Sequence, residues 1–217
     1  MKKTKELSEK LIVKINAPNF KRIPILIENI EPYVQNRFPE ISINEMMDKM
    51  KKGDVDGEGR KKRAPKDFNL YYRQSLHITK QGWYGIPAAG IRTGLIDACR
   101  VLNLKMRFMQ LAFFVEADGF DMNTGQPLVK IIKGEPEMFT CPAANANGST
   151  DIRARGRFMP GAQALVRLCY DADMVDDVQT AVNLMANCCM RIGFGAGRPF
   201  SQKSRGCGWG RFKIVNQ

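Results

Sequence analysis

The sequence contains little of what marks metal-binding, secreted or membrane-spanning proteins. Its only histidine is His77, and none of its six cysteines belongs to a Cys-x-x-Cys pair, so no metal site is indicated. The apolar runs near Phe113 and Met185 are short, whereas a membrane-spanning helix needs roughly twenty mainly apolar residues. The N-terminus, MKKTKELSEK, lacks the apolar core of a signal peptide. We therefore expect a cytoplasmic protein with reduced thiols in its core and no membrane partner.

Acidic residues are scarce, and after Asp177 the chain contains none. The same segment carries six basic residues: Arg191, Arg198, Lys203, Arg205, Arg211 and Lys213. Over the whole chain, 34 lysines and arginines outnumber 22 acidic residues, which gives a net charge of +12. Such a surplus favours a polyanionic partner over a small neutral metabolite. A ribosome-like structural role and ordinary surface charge are the alternatives.

The N-terminal part predicts few regular elements. A strand is plausible at Leu11 to Ile15, and the prolines at positions 24, 32 and 39 favour short elements only in the segment that follows. Residues 46–67 are polar and predict a flexible basic loop. Its basic cluster includes Lys61, Lys62 and Arg63. The loop is interpreted either as a spacer or as an arm that orders on nucleic acid.

Hydrophobic periodicity from residue 68 onward predicts alternating strands and helices. Strands are expected at FNLYYRQSLHI, at MRFMQLAFFVEAD, at Leu128 to Ile132 after an NTGQ turn, and at QALVRLCY, and the second and third of these should form a hairpin. One helix begins near Pro87 and buries Ile91, Leu95, Cys99 and Leu102. A second begins at a capping box of Asp176 and Gln179, buries Val178, Val182, Met185, Cys189 and Ile192, and stops at Gly193.

With a final strand at the C-terminus, this order is βαββαβ. It predicts one α+β domain over residues 1–217 with a ferredoxin-like (RRM-like) core, in which an antiparallel sheet carries helices on one face. Long basic insertions interrupt this core. They are an insertion at residues 141–160 and a glycine-rich loop at residues 193–210.

These two insertions supply the candidate nucleic-acid contacts. Arg153, Arg155 and Arg157 alternate, so an extended chain places them on one face, where phosphates could sit. An ordinary solvated strand face is the alternative. In the glycine-rich loop, backbone N–H groups can approach phosphates, and Trp209 or Phe200 can stack on a base. Arg198, Lys203, Arg205 and Arg211 would neutralise charge.

No cofactor motif is found in the sequence. Gly193, Gly195 and Gly197 resemble part of a dinucleotide fingerprint, but they follow a helix and precede a strand, whereas the fingerprint follows a strand and opens a helix. There is no Walker A sequence. We therefore expect no cofactor.

Two groups of residues allow an enzymatic alternative. His77, with a lysine such as Lys80, could deprotonate a ribose 2′-hydroxyl in a ribonuclease, although a lone histidine is more often a packed or surface residue. Glu116, Asp118 and Asp121 could hold a metal at a hairpin end. They are more simply interpreted as turn residues, since no second carboxylate cluster completes a two-metal site.

The C-terminal half resembles the RAMP superfamily of CRISPR-associated proteins, especially the backbone subunits that assemble along a guide RNA. The resemblance rests on the order of elements, on IPAAGIRTGLIDACR as a first helix, and on RIGFGAGRPFSQKSRGCGWGRFKI as a glycine-rich loop. It covers roughly Phe68 to Val215. It implies a core related to RNA-recognition modules and subunits that coat a single strand. The short chain is also similar to compact bacteriophage proteins, which would act in a bacterial cytoplasm.

The sequence therefore predicts a non-enzymatic protein that binds single-stranded RNA or DNA and multimerises along it as a filament or ring, with phage or CRISPR-type protein partners. One alternative is an RNA endonuclease of the same superfamily that uses His77. Another is a phage structural or interaction protein, such as a virion component or an inhibitor that mimics a CRISPR subunit.

Overall fold

The computed structural model describes residues 17–52, 65–144, 148–175, 177–201 and 207–215. Its strands are β1 Phe20–Asn29, β2 Tyr33–Val34, β3 Gly85–Pro87, β4 Phe113–Glu116, β5 Gly119–Phe120, β6 Pro127–Lys133, β7 Pro136–Ala144, β8 Thr150–Phe158, β9 Gln163–Asp171 and β10 Phe212–Ile214. Its helices are α1 Glu40–Lys52, α2 Phe68–Ser75, α3 Ala88–Ala98, α4 Met106–Ala112 and α5 Val178–Asn187, which continues into a π-helical turn, Cys188–Ile192. The predicted α+β class is confirmed.

Two antiparallel sheets organise these elements. The larger sheet has the order β10–β1–β9–β6–β3, with β4 also paired to β9 and β5 to β6. The long pairing of β1 with β9 runs from Phe20 opposite Asp171 to Glu28 opposite Gln163. The smaller sheet has the order β2–β8–β7. The antiparallel arrangement that the sequence predicts is confirmed.

The core lies between the larger sheet and a helical layer. Helix α3 contacts α5, the π-helical turn, β4 and β6, and it buries Ile91 and Leu95 completely. A Cβ on Gly94 would lie 2.8 Å from the Cys188 sulfur, so a glycine there permits this close approach. The predicted helix start at Pro87 is confirmed. Val178 is 48% exposed, so its predicted burial is wrong.

The strand predicted at FNLYYRQSLHI is wrong, because Phe68–Ser75 forms α2. The side chain of Asp67 caps this helix by accepting a hydrogen bond from the Leu70 N–H at 3.1 Å. The helix packs against β8, where a Cβ on Gly156 would lie 2.0 Å from a Leu76 methyl carbon. The cap and this contact outweigh the strand preference of the tyrosines.

The first half of the strand predicted at MRFMQLAFFVEAD is also wrong. Met106–Ala112 forms α4, and only Phe113–Glu116 is extended, as β4. Strand β4 pairs with β9 rather than with β6, so it is not the first arm of the predicted hairpin. The short strand β5 takes that place and pairs with β6 across the NTGQ turn. The predicted strands at Leu128 to Ile132 and at QALVRLCY are confirmed as parts of β6 and β9.

The proline-rich N-terminal segment contains a long element rather than short ones only. Strand β1 has ten residues, and Pro24 lies inside it. Only residues 27–29 of β1 pair with β10, so at Pro24 the strand has β9 as its single described neighbour. A proline is tolerated there because its missing N–H can face the unpaired side.

Several predicted boundaries shift in the structure. Residues 46–52 belong to α1, so the predicted loop cannot begin at residue 46. The insertion at 141–160 is largely a hairpin of β7 and β8. The cap of α5 is Asp177, whose carboxylate accepts from the Gln179 N–H at 3.0 Å, and the predicted cap, Asp176, lies outside the described residues. The strand predicted at Leu11 to Ile15 also lies outside them.

All six cysteines are free thiols. Cys99, Cys141, Cys188 and Cys189 are buried, and burial raises the pKa of Cys188 well above its ordinary value. Cys207 is exposed, so it is not the core thiol that the sequence predicts. In the described part of the chain, no helix combines the length and the apolar character that crossing a bilayer requires.

Candidate nucleic-acid interface

A groove of about 840 Å³ lies where the two sheets, α3 and the C-terminal loop meet. One wall is formed by β7 and β8, which contribute Arg153 and Arg155. A second wall is the glycine-rich loop with Arg198 and Trp209, and the first turns of α3 after Pro87 complete the groove. The two insertions that the sequence singles out therefore both line one cavity.

Arg155 is the least satisfied cation of this groove. Its side chain is part-buried, and burial lowers the pKa of its guanidinium. The Nε atom is buried and makes no hydrogen bond within the described part of the chain. No carboxylate there forms an ion pair with it. A buried cation without a partner is unfavourable, so this site is well suited to an anion.

Strand β8 places the three predicted arginines on one face. The residues between them, Ala154 and Gly156, are buried, so the arginines face the other way. Arg157, however, does not line the groove. Its Nε donates to a Glu137 carboxylate oxygen at 2.9 Å, and its guanidinium stacks 4.4 Å from the centre of the Phe139 ring. Its charge is therefore compensated within the protein.

The glycine-rich loop is tied closely to the rest of the fold. The N–H of Phe194 donates to the Gly210 carbonyl at 2.8 Å, and the N–H of Ala196 donates to the Val34 carbonyl at 2.9 Å. The Gly210 N–H donates to the Pro32 carbonyl at 2.8 Å. These three N–H groups bind protein carbonyls, so they do not serve the phosphate-binding role that the sequence predicts for the loop backbone.

The glycines instead allow close backbone contact. Gly195 and Gly210 have φ angles of +78° and +68°. A Cβ on Gly195 would lie 2.5 Å from the Val34 oxygen, and one on Gly210 would lie 1.8 Å from the Phe194 oxygen. Around Gly195 and Gly210 the loop therefore packs directly against the backbone of other segments.

Trp209 and Arg198 are the loop side chains at the groove. The ring of Trp209 meets the ring of Phe139 edge to face at 5.5 Å, which fixes the indole against β7. Its side chain is half-buried and lines the groove. Arg198 donates to the Gly195 carbonyl at 3.4 Å. Both predicted contacts are therefore at the groove.

Arg211, another predicted contact, does not line this groove. It pairs with Glu31 at 2.7 Å and lines a separate cleft, together with Phe200. Lys61, Lys62, Arg63, Lys203 and Arg205 lie outside the described residues. Among the predicted contacts that the structure describes, Arg153, Arg155, Arg198 and Trp209 therefore line the groove.

His77 lies at the edge of the groove and is held by a buried carboxylate. It is 8% exposed, and its Nδ1 lies 3.1 Å from Oδ2 of Asp121, which is 3% exposed. The side-chain oxygen of Gln35 accepts the His77 backbone N–H at 2.8 Å. No group in the described part of the chain hydrogen-bonds to Nε2. His77 is thus a packed residue with one oriented ring nitrogen.

The charges around His77 determine its protonation. Burial lowers its pKa, although the Asp121 carboxylate opposes this. For Asp121, burial alone would raise the pKa, but the backbone N–H groups of Thr124 and Asn123 donate to Oδ1 and lower it overall. An ionised Asp121 accepts a hydrogen bond from Nδ1–H, and in the neutral imidazole this leaves Nε2 as an acceptor.

Sequence reasoning missed two residues that complete this arrangement. Arg37 lies 3.6 Å from Asp121 and is 7% exposed, and Gln35 is 1% exposed. Both precede His77 by about forty positions in a segment with no recognisable motif. Their burial as polar residues, visible only in the structure, is the signal that identifies them.

The acidic residues considered for a metal have other partners. Arg167 lies 2.6 Å from Asp118 and 3.4 Å from Glu116, and Asp121 binds His77. Across the described ranges, no group of three or more histidine, cysteine or acidic side chains is arranged to hold a metal ion. The interpretation of Asp121 as a turn residue agrees with its hydrogen bonds to Asn123 and Thr124.

Comparison with protein-family models and with curated proteins finds no match for this chain. The site is therefore defined by its own geometry. It is a basic, partly apolar groove with an aromatic ring and an incompletely satisfied arginine, and a histidine–aspartate pair lies at its edge.

Proposed function

We propose that the protein binds single-stranded nucleic acid, without chemical conversion, in the groove between β8, α3 and the glycine-rich loop. The observation that carries this proposal is Arg155, a part-buried guanidinium without a carboxylate partner among the described residues. A phosphate would supply the missing charge-assisted hydrogen bonds. Arg157, two positions away, needs no such partner because Glu137 already provides one.

The other groups at the groove suit a single strand in particular. Trp209 offers a ring on which a base can stack, and base–aromatic stacking requires an unpaired base. Arg153 and Arg198, which also line the groove, add positive charge. The first turn of α3, after Pro87, directs the positive end of its dipole toward the same space.

The strand order supports a ferredoxin-like, RRM-like core. Its first strand is β1, whereas the sequence predicts the first strand of the core at FNLYYRQSLHI. Strands β1 and β4, joined through α3, are separated in the sheet by β9. Strands β9 and β10, joined through α5, are separated by β1. Two interleaved split β-α-β units of this kind define that fold. The hairpin of β7 and β8 is then an insertion, as in the RAMP-like interpretation.

Self-association along the strand is part of the proposal. The rings of Phe20 and Phe114 meet edge to face at 5.5 Å and are both more than 40% exposed, and Leu111 is 66% exposed. These apolar side chains lie outside the groove, so they would remain available to a second copy while nucleic acid is bound. A cytoplasmic location and phage or CRISPR-type protein partners belong to the same hypothesis.

The test is binding of labelled single-stranded RNA, single-stranded DNA and duplex DNA over a salt series, with particle size measured in parallel. We expect binding of a single strand that weakens steeply with salt and particles that grow with strand length. Absence of binding to all three at low salt would refute the proposal.

A second candidate is RNA cleavage, because of the His77–Asp121 pair. The oriented Nε2 of His77 is an acceptor at the edge of the groove. It could take the proton of a ribose 2′-hydroxyl while the 2′-oxygen attacks the adjacent phosphorus and the 5′-oxygen leaves with a proton from water. Lys80 is not among the groove residues, so it is not part of this mechanism.

One substitution, His77→Ala, distinguishes RNA cleavage from binding without cleavage. If His77 is the base, RNA incubated with the protein yields fragments ending in a cyclic phosphate, and His77→Ala abolishes them while RNA binding persists. Unchanged cleavage by His77→Ala, or no cleavage by the unmodified protein, would exclude the mechanism.

A further inference from the structure

A second cleft of about 510 Å³ lies beside the groove, on the other side of the glycine-rich loop. Its lining includes Arg100, Val101, Met190, Arg191, Phe200 and Arg211. It contains no part of β8 and does not include His77. The cleft is therefore a distinct surface with its own chemistry.

The cleft and the groove are contiguous. Asp97, near the end of α3, and Ile192, at the end of the π-helical turn, line both of them. Within residues 193–200, Arg198 lines the groove and Phe200 lines the cleft. A polymer that fills the groove can thus continue past this segment into the cleft.

The composition of the cleft matches that of a nucleotide site. Phe200, Met190 and Val101 are 43%, 41% and 41% exposed, so they offer an apolar surface to a flat ring. Arg100 and Arg191 are exposed and form no ion pair with a carboxylate in the described part of the chain. Arg211 pairs with Glu31, but its Nε is buried without a hydrogen-bond partner there.

We propose that this cleft is a second nucleotide subsite, in which a base stacks on Phe200 while Arg191 and Arg100 contact the phosphates of the strand that leaves the groove. The proposal rests on the function proposed above, since it extends the path of the same single strand. It predicts that each copy of the protein covers more nucleotides than the groove alone would.

The test measures affinity for single strands from about four to about sixteen nucleotides long, the range of site sizes known for compact single-strand-binding modules. The variant is Arg191→Ala with Phe200→Ala. The control is Arg107→Ala with Phe108→Ala on α4, because Phe108 is 42% exposed, Arg107 is also exposed, and neither residue lines the cleft.

We expect the cleft variant to bind the shortest strands as the unmodified protein does and to lose roughly tenfold in affinity for the longest ones, as the loss of one stacked base would cause. The control should match the unmodified protein at every length. Equal losses at all lengths, or no loss at any, would overturn the subsite. If the unmodified protein binds no strand, the function proposed above fails instead.

Discussion

The two ends of the arginine row on β8 share a sheet face but differ in their surroundings. In the register of β7 with β8, Glu137 lies opposite Arg157, whereas Phe139 lies opposite Arg155 and Cys141 opposite Arg153. Only Arg157 therefore has an acidic residue directly opposite it on β7. The same residue type forms a structural ion pair at Arg157 and is incompletely satisfied at Arg155.

This difference shows that a repeated charge does not identify a binding residue by itself. The neighbouring strand decides whether an arginine is neutralised, and a surface ion pair such as Arg157–Glu137 contributes little to stability. Arg155, whose Nε makes no hydrogen bond within the described residues, lies in the groove that Trp209 also lines. Binding is thus predicted for Arg153 and Arg155 but not for Arg157, although the three arginines look alike in the sequence.

The largest expected effect is the loss of the groove arginines. Replacing Arg153 and Arg155 by alanine should weaken single-strand binding by about a hundredfold, since hydrogen bonds to charged groups contribute about 1.5–3 kcal/mol each. The salt slope should fall by about 1.4, or about 0.7 for each lost phosphate contact. Arg157→Ala is the matched control and should change affinity less than about twofold. Equal losses for the two ends would refute the distinction.

The second prediction tests a variant in which both ends of the row face a carboxylate on the neighbouring strand β7. Cys141→Asp places a carboxylate opposite Arg153 and near Arg155. We expect it to neutralise the groove and weaken binding about tenfold, which corresponds to about 1.4 kcal/mol. The neutral variant Cys141→Asn has nearly the same shape and should keep most of the affinity in the same titration. If both variants bind alike, charge at this end of the row is not what binds the strand.

The third prediction concerns the glycine-rich loop, which forms another wall of the groove. Gly210→Ala should lower the free energy of unfolding in urea by about 2 kcal/mol or more, because a Cβ adds a backbone clash to the cost of its positive φ angle. Gly208 has a φ of +73° and open space around it, so Gly208→Ala should cost only about 1 kcal/mol. Equal costs would mean that close backbone contact does not hold the wall.

The smallest expected effect is the pH dependence of stability that His77, at the edge of the groove, should cause. Because burial lowers the pKa of His77, the unfolded chain takes up this proton more readily than the folded protein. The free energy of unfolding should therefore be highest above the ordinary histidine pKa and fall as the pH decreases below about 6.5, by at most about 1.4 kcal/mol per pH unit.

His77 is the only histidine in the chain, so His77→Gln provides a direct control for this measurement. Urea unfolding of the variant should show little pH dependence between about pH 5 and 7. A slope in the variant that equals that of the unmodified protein would assign the effect to other groups. At lower pH both proteins should lose stability, because the lowered pKa of Asp121 favours the folded state only while that carboxylate is ionised.

Much of the fold could be predicted for long elements whose hydrophobic pattern lies within the element itself. Helix α3 and strands β6 and β9 follow from residues within each element, since burial of one face imposes a period that the sequence displays. Short elements were not predictable in this way. Helices α2 and α4 have eight and seven residues, too few to show a period, and their aromatic residues favour strands.

The sequence by itself determined that this protein is a basic α+β chain whose arginines alternate along β8 and whose C-terminal loop is rich in glycine. Only the tertiary structure decided that the Nε of Arg155 lacks a hydrogen-bond partner among the described residues and that Gly195 and Gly210 lie close to backbone atoms of other segments. It also brought together His77 and Asp121, which are 44 positions apart. The physical reason is that periodicity and charge are local properties, whereas the neutralisation of a charge depends on whichever strand the fold places beside it.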